Sequence, residues 1–382
     1  MKNCILKKGM IKCCLALVVM FLCLSCGNKQ VIQVAAPVVM PKQPMTSQPK
    51  NIILMIGDGM GLSQITAAMY TNGNALNLER FPIVGLIKTH SSDNLVTDSA
   101  AGATAFACGV KTYNGAIGID ANGQAKKTIL EEAEENKLAT GMVATSTIVH
   151  ATPAAFIAHQ KLRAFYEPIA ADFMKTEIDF FVGGGKKYFD RRSSDDRNLY
   201  AELEKNNYVV SDYFKNKDLG KTLIDENKNF AYFTADDDPV TVTTGRDYLY
   251  AASVMGMNFL KKHSDQGFFM MIEGSQIDWG GHANNASYVI SELLDFDKTV
   301  GAALEFAEKD GETLVIVTAD HETGGLSIKL GSKMNKLKTD FSTGDHTASL
   351  IPVFAYGPGA ELFSGVYENT AIYSKMRRAF GF

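Results

Sequence analysis

The class of fold follows from a continuous apolar run early in the chain, Asn51-Ile52-Ile53-Leu54-Met55-Ile56-Gly57. A strand with apolar residues at nearly every position is typical of a parallel sheet that is covered on both faces. The run ends at Asp58-Gly59-Met60-Gly61, and a helix is predicted over 62–70. Asp58 is therefore expected at the carboxyl end of a central strand, where open α/β sheets bind ligands. A carboxylate that caps the following helix is the alternative.

Apolar runs and amphipathic stretches alternate to the end of the chain. Further strands are predicted near 83–89, 140–145, 178–184, 267–272, 313–318 and 351–356, and further helices near 126–136, 248–263, 285–310 and 371–380. This alternation predicts an α/β fold with a large central, mostly parallel β-sheet that helices flank on both faces. Residues 50–382 are expected to form one domain. A helix that begins near Pro153 is expected to carry Arg163.

The stretch 186–240 is polar and mixed in charge, and it predicts a surface elaboration of that domain. Its run of three acidic residues, Asp236-Asp237-Asp238, is interpreted as a solvated loop. A calcium site is the alternative for this run.

The first 25 residues have the composition of an export signal. Four lysines come first, then an apolar run, with no acidic residue among them: Lys2, Lys7, Lys8, Lys12 and Cys13–Leu24. About 12 apolar residues fit a signal peptide better than a membrane span, which needs about 20. Ser25 before Cys26 resembles a bacterial lipoprotein cleavage site, and this predicts lipidation of Cys26. Cys23 departs from that pattern, so ordinary cleavage and an uncleaved anchor are the alternatives.

The composition of the chain limits the cellular environment and the binding partners that are expected for it. Residues 26–49 contain prolines, glutamines and serines, which predicts a flexible tether between membrane and domain. Cys108 is the one cysteine beyond residue 26, so no intrachain disulfide is expected in the domain. Loss of residues 1–25 removes four of 38 basic residues and leaves 34 against 42 acidic ones, a net charge of −8. This charge argues against a nucleic-acid-binding protein.

A second stretch, Thr97-Asp98-Ser99-Ala100-Ala101-Gly102-Ala103-Thr104-Ala105, places a serine directly after an acid at the predicted start of a helix. Free backbone N–H groups and the helix dipole favour an anionic substrate or an alkoxide there. A simple helix cap is the alternative. The interpretation of Ser99 as a nucleophile depends on partners elsewhere in the chain.

Acidic and histidine side chains recur where predicted strands end. They are Asp58, Glu273, Asp278, His282, Asp320 and His321, together with His150 before a helix start and His346 before the 351–356 strand. Buried acids are costly unless cations compensate them, and carboxylates with neutral imidazoles are metal ligands. Asp278 and His282 share one face of a helical turn. With Ser99, these residues favour two zinc ions that act on an in-line displacement.

The chain resembles the alkaline phosphatases over nearly all of residues 50–382. Six ordered motifs carry the resemblance: Ile56-Gly57-Asp58-Gly59-Met60-Gly61; Thr97-Asp98-Ser99-Ala100-Ala101 with Lys111-Thr112-Tyr113-Asn114-Gly115; Ala151-Thr152-Pro153-Ala154-Ala155 with Ala158-His159 and Arg163; Ile272-Glu273-Gly274-Ser275-Gln276-Ile277-Asp278 with His282-Ala283; Thr318-Ala319-Asp320-His321-Glu322-Thr323-Gly324-Gly325; and Gly344-Asp345-His346-Thr347. The resemblance implies that family's fold. It also implies hydrolysis of small phosphate monoesters at alkaline pH through a phosphoserine on Ser99.

The resemblance also implies a role for each position. One zinc would be held by Asp278, His282 and His346, a second by Asp58, Asp320 and His321 with the Ser99 alkoxide, and a third ion, usually magnesium, by Asp58, Thr152 and Glu273. Arg163 would bind two phosphate oxygens with its guanidinium fork.

Two positions vary within the family. His150 stands where some members have an aspartate that orders a magnesium-bound water. Imidazole is a better ligand for zinc than for magnesium, which opens the third site to zinc. Trp279 stands where some members have a lysine that reaches phosphate through water, so a weaker hold on the product is expected. The indole is a candidate contact for the organic part of the substrate, and a core or rim aromatic is the alternative.

Three other functions are the alternatives. A phosphodiesterase of the same superfamily would typically use threonine as its nucleophile and lack this arginine. A sulfatase is disfavoured because Ala100-Ala101-Gly102-Ala103 follows Ser99 in place of the x-Pro-x-Arg pattern. A non-catalytic lipoprotein that binds metal or phosphate would predict missing ligands. Family members commonly dimerise, so a homodimer joins the expected partners, and the chain is expected to be exported, periplasmic and anchored by lipid.

Overall fold

The computed structural model describes residues 47–382. The predicted signal peptide, the lipidated Cys26 and nearly all of the predicted tether lie outside these residues. The strands are β1 (Asn51–Gly57), β2 (Ile83–Lys88), β3 (Ala139–Thr147), β4 (Phe180–Gly184), β5 (Tyr208–Asp212), β6 (Asn229–Phe233), β7 (Phe268–Gly274), β8 (Thr313–Thr318), β9 (Glu322–Thr323), β10 (Leu326–Ile328), β11 (Thr339–Phe341), β12 (His346–Thr347), β13 (Ile351–Tyr356) and β14 (Gly365–Glu368).

The helices between these strands are mostly short, with two long ones near the middle of the chain. They are α1 (Leu62–Thr71), α2 (Ser99–Cys108), α3 (Ile129–Glu135), α4 (Ala151–Ala154), α5 (Tyr166–Asp172), α6 (Lys187–Asp190), α7 (Leu199–Lys205), α8 (Tyr248–His263), α9 (Gln276–His282), α10 (Ala286–Asp310) and α11 (Ala371–Phe380). Short 3₁₀ helices span Asn77–Arg80, Leu219–Lys221, Val242–Thr244 and Ala360–Phe363. Within residues 47–382, none of the helices has both the length and the apolar composition that crossing a bilayer requires.

Ten strands form one sheet in the order β14-β2-β13-β8-β1-β7-β3-β4-β6-β5. Among these ten, β13 runs antiparallel to both of its neighbours, and the other pairs are parallel. All seven residues of β1 are buried, because helices cover both faces of the sheet where β1 lies at its centre. The predicted α/β class with a mostly parallel, helix-flanked sheet is confirmed.

The four central strands bring the predicted chemistry to one edge of the sheet. β8, β1, β7 and β3 are adjacent and parallel, so their carboxyl ends meet at the same edge. In register, Ile56 of β1 lies beside Glu273 of β7 and beside Thr318 of β8. Residues that follow these strands are therefore close in space although they are far apart in the chain.

The interpretation of 186–240 as a surface elaboration is wrong in part, because this stretch also supplies two strands of the sheet. β6 pairs with β4, and β5 lies at the edge. Phe230 and Phe233 are fully buried, and the Phe230 ring stacks on Phe180 with 5.3 Å between centroids. Both strands have five residues and are separated by charged turns, so the polar composition of the stretch hides them.

The acidic run within this stretch is held by protein donors. Asp236 pairs with Arg191, and Asp237 pairs with Lys187. The Asp238 carboxylate accepts a hydrogen bond of 2.8 Å from the Thr147 N–H. Basic side chains and a backbone donor account for the run, so a calcium ion is not needed to explain it.

The expectation that a helix carries Arg163 is wrong. α4 ends at Ala154, and the chain then extends alongside the segment around Ile117. Gln160 and Ile117 exchange two backbone hydrogen bonds of 2.9 Å, and the Arg163 N–H donates to the Gly115 carbonyl at 2.7 Å. This tertiary pairing overrides the helical propensity of the alanine-rich sequence. The edge strand β14 was also not predicted, because its four residues lack an apolar run.

Candidate active site

The most deeply buried acids of the site come from strand ends. Asp58 directly follows β1, Glu273 is the last residue but one of β7, and Asp320 follows β8 by two positions. All three carboxylates are fully buried. A buried ionised carboxylate without a partner is very costly, so this arrangement indicates that a positive charge belongs among them.

Ser99 is the first residue of α2, and Asp98 rather than Ser99 caps the helix. Asp98 Oδ1 accepts a hydrogen bond of 3.0 Å from the Ala101 N–H. The Ser99 hydroxyl is thereby left for another partner, and its Oγ lies 3.4 Å from His321 Nε2. Ser99 is 2% exposed. Gly102 allows this close approach of α2, because a Cβ there would lie 2.9 Å from Asp320 Cβ.

Among residues 47–382, three groups of side chains could each hold a metal ion, and within each group the ligand atoms lie within 4.8 Å of one another. The groups are Asp278 with His282 and His346, Asp58 with Asp320 and His321, and Asp58 with His150 and Glu273. Asp58 belongs to two of them. The first two groups coincide with the zinc sets implied by the family resemblance, and the third contains Asp58 and Glu273 of the implied third set together with His150.

The first group contains two imidazoles that face each other. His282 Nε2 lies 3.0 Å from His346 Nε2. The opposite nitrogens are tied to carbonyl oxygens, His282 Nδ1 to Gly344 at 2.7 Å and His346 Nδ1 to Thr97 at 2.8 Å. A carbonyl accepts from N–H, so these contacts assign the proton to Nδ1 and leave an Nε2 lone pair on each ring. Two lone pairs directed at each other fit a cation between them.

The second group lies beside Ser99. His321 Nε2 is 3.1 Å from Asp320 Oδ2 and 3.5 Å from Asp58 Oδ1. All three residues are fully buried. Both Asp58 oxygens and Asp320 Oδ2 have no hydrogen-bond donor among residues 47–382. Their lone pairs and the Ser99 hydroxyl converge near one imidazole nitrogen, and a divalent cation fits that arrangement.

The third group also contains atoms without a hydrogen-bond partner in the described part of the chain. These atoms are Glu273 Oε1, Thr152 Oγ1 and His150 Nδ1, besides the two Asp58 oxygens. Hydroxyl and carboxylate oxygens suit magnesium, whereas an imidazole suits zinc. The donor set fits a cation and leaves its identity open.

The charges of the site favour a metal ion over bare acids. Burial, reinforced by the nearby Asp320, raises the pKa of Asp58 well above its usual range. Burial raises the pKa of Glu273 to about 8. Burial lowers the pKa of His346 to about 4, and the neighbouring His321 adds to that effect. Asp58 and Glu273 therefore resist ionisation without a counter-charge, and a bound cation would reverse that preference.

Arg163 contacts the residue that precedes Ser99. Its Nη1 donates to Asp98 Oδ2 at 3.1 Å, and its Nη2 lies 3.3 Å from His150 Nε2. Asp98 therefore caps α2 and also orients the guanidinium. The half-buried Trp279 packs its ring against His150, with 6.1 Å between centroids and a T-shaped arrangement.

Thr323 belongs to the site and was missed in the sequence. The Thr323 hydroxyl donates a hydrogen bond to Asp278 Oδ1, and Thr323 Oγ1 also lies 3.2 Å from His321 Nδ1. One hydroxyl thus contacts a residue of the first group and a residue of the second. Its place two residues after His321, within a quoted motif, was the available signal. Gly59 leaves room for it, because a Cβ there would lie 2.7 Å from Thr323 Oγ1.

A buried hydroxyl beside carboxylates and imidazoles that suit metal ions fits a metal-assisted displacement, in which charge develops on the attacking and leaving oxygens. The fold and this edge of the sheet thus indicate the class of metal-dependent group-transfer enzymes.

Comparison with known proteins narrows the class to a family. The family model described as alkaline phosphatase matches residues 49–339. Alkaline phosphatase 3 of Bacillus subtilis (strain 168) is 34% identical, with 86% of this chain and 88% of that protein covered. The alkaline phosphatase of Escherichia coli (strain K12) is 34% identical, with 87% and 86% covered. The chain therefore belongs to the alkaline phosphatase family, whose members depend on metal ions, and it is an enzyme that hydrolyses phosphate monoesters.

Solved structures agree with this assignment. The alkaline phosphatase of the Antarctic bacterium TAB5 has a TM-score of 0.82 and 47% sequence identity, with 89% of this chain and 99% of that chain covered. Two variants of the Antarctic enzyme, in which one histidine is replaced by glutamate or by aspartate, are solved with Mg bound in the M3 site.

Proposed function

We propose that Ser99 is the nucleophile, and that phosphate monoesters are hydrolysed at alkaline pH through a phosphoserine at this residue. The observation that carries the proposal is the contact of 3.4 Å between Ser99 Oγ and His321 Nε2, at the start of α2 and inside the second group of ligands. A hydroxyl at this position is buried at the positive end of a helix dipole, and the neighbouring ligands would hold a cation that stabilises its ionised form.

The metal ligands follow from the three groups. We propose one zinc held by Asp278, His282 and His346, a second held by Asp58, Asp320 and His321, and a third ion held by Asp58, Thr152 and Glu273, with His150 favouring zinc over magnesium there. When bound, zinc ions supply the positive charge that lowers the pKa of the serine hydroxyl and stabilises the oxygen that leaves.

The proposed reaction consists of two successive displacements at phosphorus. Ser99 loses its proton, and Oγ forms a bond to phosphorus while the bond from phosphorus to the ester oxygen breaks. The departing alcohol takes a proton from solvent. Water next attacks the phosphoserine and loses one proton to solvent, the Oγ–phosphorus bond breaks, Ser99 Oγ regains a proton, and inorganic phosphate leaves. Arg163, oriented by Asp98, binds two phosphate oxygens throughout.

The proposal also includes roles for Trp279 and for the N-terminal residues. Trp279 contacts the organic part of the substrate from beside His150. Residues 1–25 export the chain to the periplasm as a signal peptide, and lipid on Cys26 anchors it to a membrane, with residues 26–49 as the tether. The export and anchoring assignments rest on the sequence of residues 1–49, of which the structure describes 47–49.

Replacing Arg163 with alanine is expected to lower kcat/KM for a phosphate monoester by roughly a hundredfold, because a charge-assisted fork to two oxygens is lost. The loss should be smaller for a matched diester, which has one charged oxygen fewer. Steady-state rates with p-nitrophenyl phosphate, its diester and its sulfate ester measure this. Arg191→Ala, on the surface pair with Asp236, is the matched control and should leave all rates unchanged. If the unaltered enzyme hydrolysed the diester faster than the monoester, the result would instead support the hypothesis that the enzyme is a phosphodiesterase.

Replacing His150 with aspartate is expected to shift the third site towards magnesium, because a carboxylate suits magnesium better than an imidazole does. The Antarctic relative, whose histidine variants bind Mg in the M3 site, supports this, and His150 is the one histidine of the third group. Metal content after dialysis against equal zinc and magnesium measures the shift, with His90→Asp as a control outside the three groups. Equal magnesium content in the unaltered enzyme and in the His150→Asp enzyme would contradict the assignment of His150 to this site.

A further inference from the structure

Glu322 is a buried carboxylate that the proposed chemistry does not use. It is 5% exposed and directly follows His321. Its Oε1 accepts hydrogen bonds from Gln64 Nε2 at 2.5 Å and from the Leu326 N–H at 3.3 Å. Its Oε2 accepts from the Gly325 N–H at 3.2 Å and from the Thr347 hydroxyl. Four donors satisfy this carboxylate without any cationic side chain among them.

The four donors come from parts of the chain that carry the site. Gln64 belongs to α1, which follows Asp58. Gly325 lies in the turn between β9 and β10, and Leu326 is the first residue of β10. Thr347 belongs to β12, next to His346. In the β9–β12 pair, Thr347 lies opposite Glu322, and His346 lies opposite Thr323. One side chain therefore ties the segment that carries His321 to the segment that carries His346 and to α1.

The start of α1 is shaped to receive this side chain. A Cβ at Gly61 would lie 2.4 Å from Glu322 Cγ and 2.9 Å from Glu322 Cβ. Gly61 closes the Asp58-Gly59-Met60-Gly61 turn, and its lack of a side chain admits Glu322. The close approach links the turn after β1 to the turn after β8.

We infer that Glu322 is a positioning residue that fixes His346 relative to His282 and Asp278. β9 and β12 have two residues each, so backbone pairing alone gives the hairpin few hydrogen bonds. The tie from Glu322 to Thr347 holds the neighbouring residue of β12, and His346 Nε2 then stays 3.0 Å from His282 Nε2. Groups that hold ligands in place commonly set metal affinity. This inference rests on the proposed role of His346 as a zinc ligand.

Asp297 provides the control that distinguishes a positioning role of Glu322 from a purely structural one. Asp297 is also a buried carboxylate, 4% exposed. It accepts hydrogen bonds from the Asn77 N–H at 2.9 Å, from Asn77 Nδ2 at 3.1 Å and from the Leu78 N–H at 3.1 Å. None of these partners belongs to the three groups of ligands. Asp297→Asn therefore weakens a comparable buried network that does not contact the site.

The experiment follows zinc loss from the zinc-loaded enzyme into a colorimetric chelator. Glu322→Gln places an amide N–H₂ where a carboxylate oxygen accepted, and Thr347→Val removes the hydroxyl alone. Both are expected to release one zinc about tenfold faster than the unaltered enzyme, and excess zinc should restore their kcat/KM. Thr347→Ser keeps the hydroxyl and should retain zinc normally. Asp297→Asn should lower Tm while it retains zinc at the normal rate.

Two results would overturn the inference. If Glu322→Gln and Thr347→Val released zinc no faster than the unaltered enzyme, or if Asp297→Asn released it equally fast, Glu322 would serve the fold and not His346. In either case the unaltered enzyme would still hold its zinc, so the proposed function would stand. An unaltered enzyme that retained no zinc would contradict the proposed function and this inference together.

Discussion

Replacing Ser99 with alanine is expected to lower kcat by roughly four orders of magnitude or more, the scale seen when a covalent nucleophile is removed. The variant should fold normally for two reasons. Asp98, not Ser99, supplies the cap to the Ala101 N–H, and alanine is the best helix former. The lost hydroxyl has one close side-chain contact in the described structure, at 3.4 Å from His321 Nε2. The effect should therefore fall on chemistry and leave Tm nearly unchanged.

Steady-state kinetics and thermal unfolding of the same samples test this expectation. Ser291→Ala is the control, because the Ser291 hydroxyl donates to the Tyr288 carbonyl on α10 and touches none of the proposed ligands. That variant should keep full activity. A Ser99→Ala enzyme with more than about a tenth of normal kcat would show that another group, or water directly, attacks phosphorus.

Removal of the metal ions is expected to abolish activity and to destabilise the fold. The oxygens of Asp58, together with Asp320 Oδ2 and Glu273 Oε1, have no donor within residues 47–382. Once the cations leave, these buried acids either repel one another or must take up protons, and both cost free energy. When a free metal ion is present at about a thousand times its Kd, its binding adds about 4 kcal/mol to the free energy of unfolding. For two or three ions we expect Tm to fall by about 10 °C.

Dialysis against a strong chelator, followed by addition of zinc and magnesium, tests this dependence by activity and by Tm. Asp58→Asn should show a much smaller rise in Tm on metal addition, because Asp58 belongs to two of the three groups. Asp297→Asn should start from a lower Tm and still show the full rise. A metal-stripped enzyme with unchanged Tm and unchanged turnover would contradict the assignment of these residues as metal ligands.

The central strands could be predicted from the sequence because their position in the sheet dictates their composition. β1 and β8 are buried at every position, and burial on both faces requires an unbroken apolar run. β5, β6 and β14 lie towards the edges, where length and composition are less constrained. Their five, five and four residues left no periodic signal strong enough to distinguish them from the charged turns around them.

The residues of the site could be listed from the sequence, but their geometry could not. The motif around Asp320 and His321 indicated ligands, whereas the functions of Glu322 and Thr323 in the same motif depend on distant partners. Gln64 lies 258 positions from Glu322. Arg163 shows the same limit, because its position is set by pairing with Gly115 and by Asp98 rather than by a local helix.

The most direct test of the central proposal is to stop the reaction within one turnover by acid and to identify the phosphorylated residue by mass spectrometry. With a monoester substrate at alkaline pH, acid should trap phosphate on the peptide that contains Ser99, and the Ser99→Ala enzyme should yield none. Phosphate trapped on a different residue, or full single-turnover hydrolysis with no phosphoserine at any time point, would contradict the proposal that Ser99 carries the reaction.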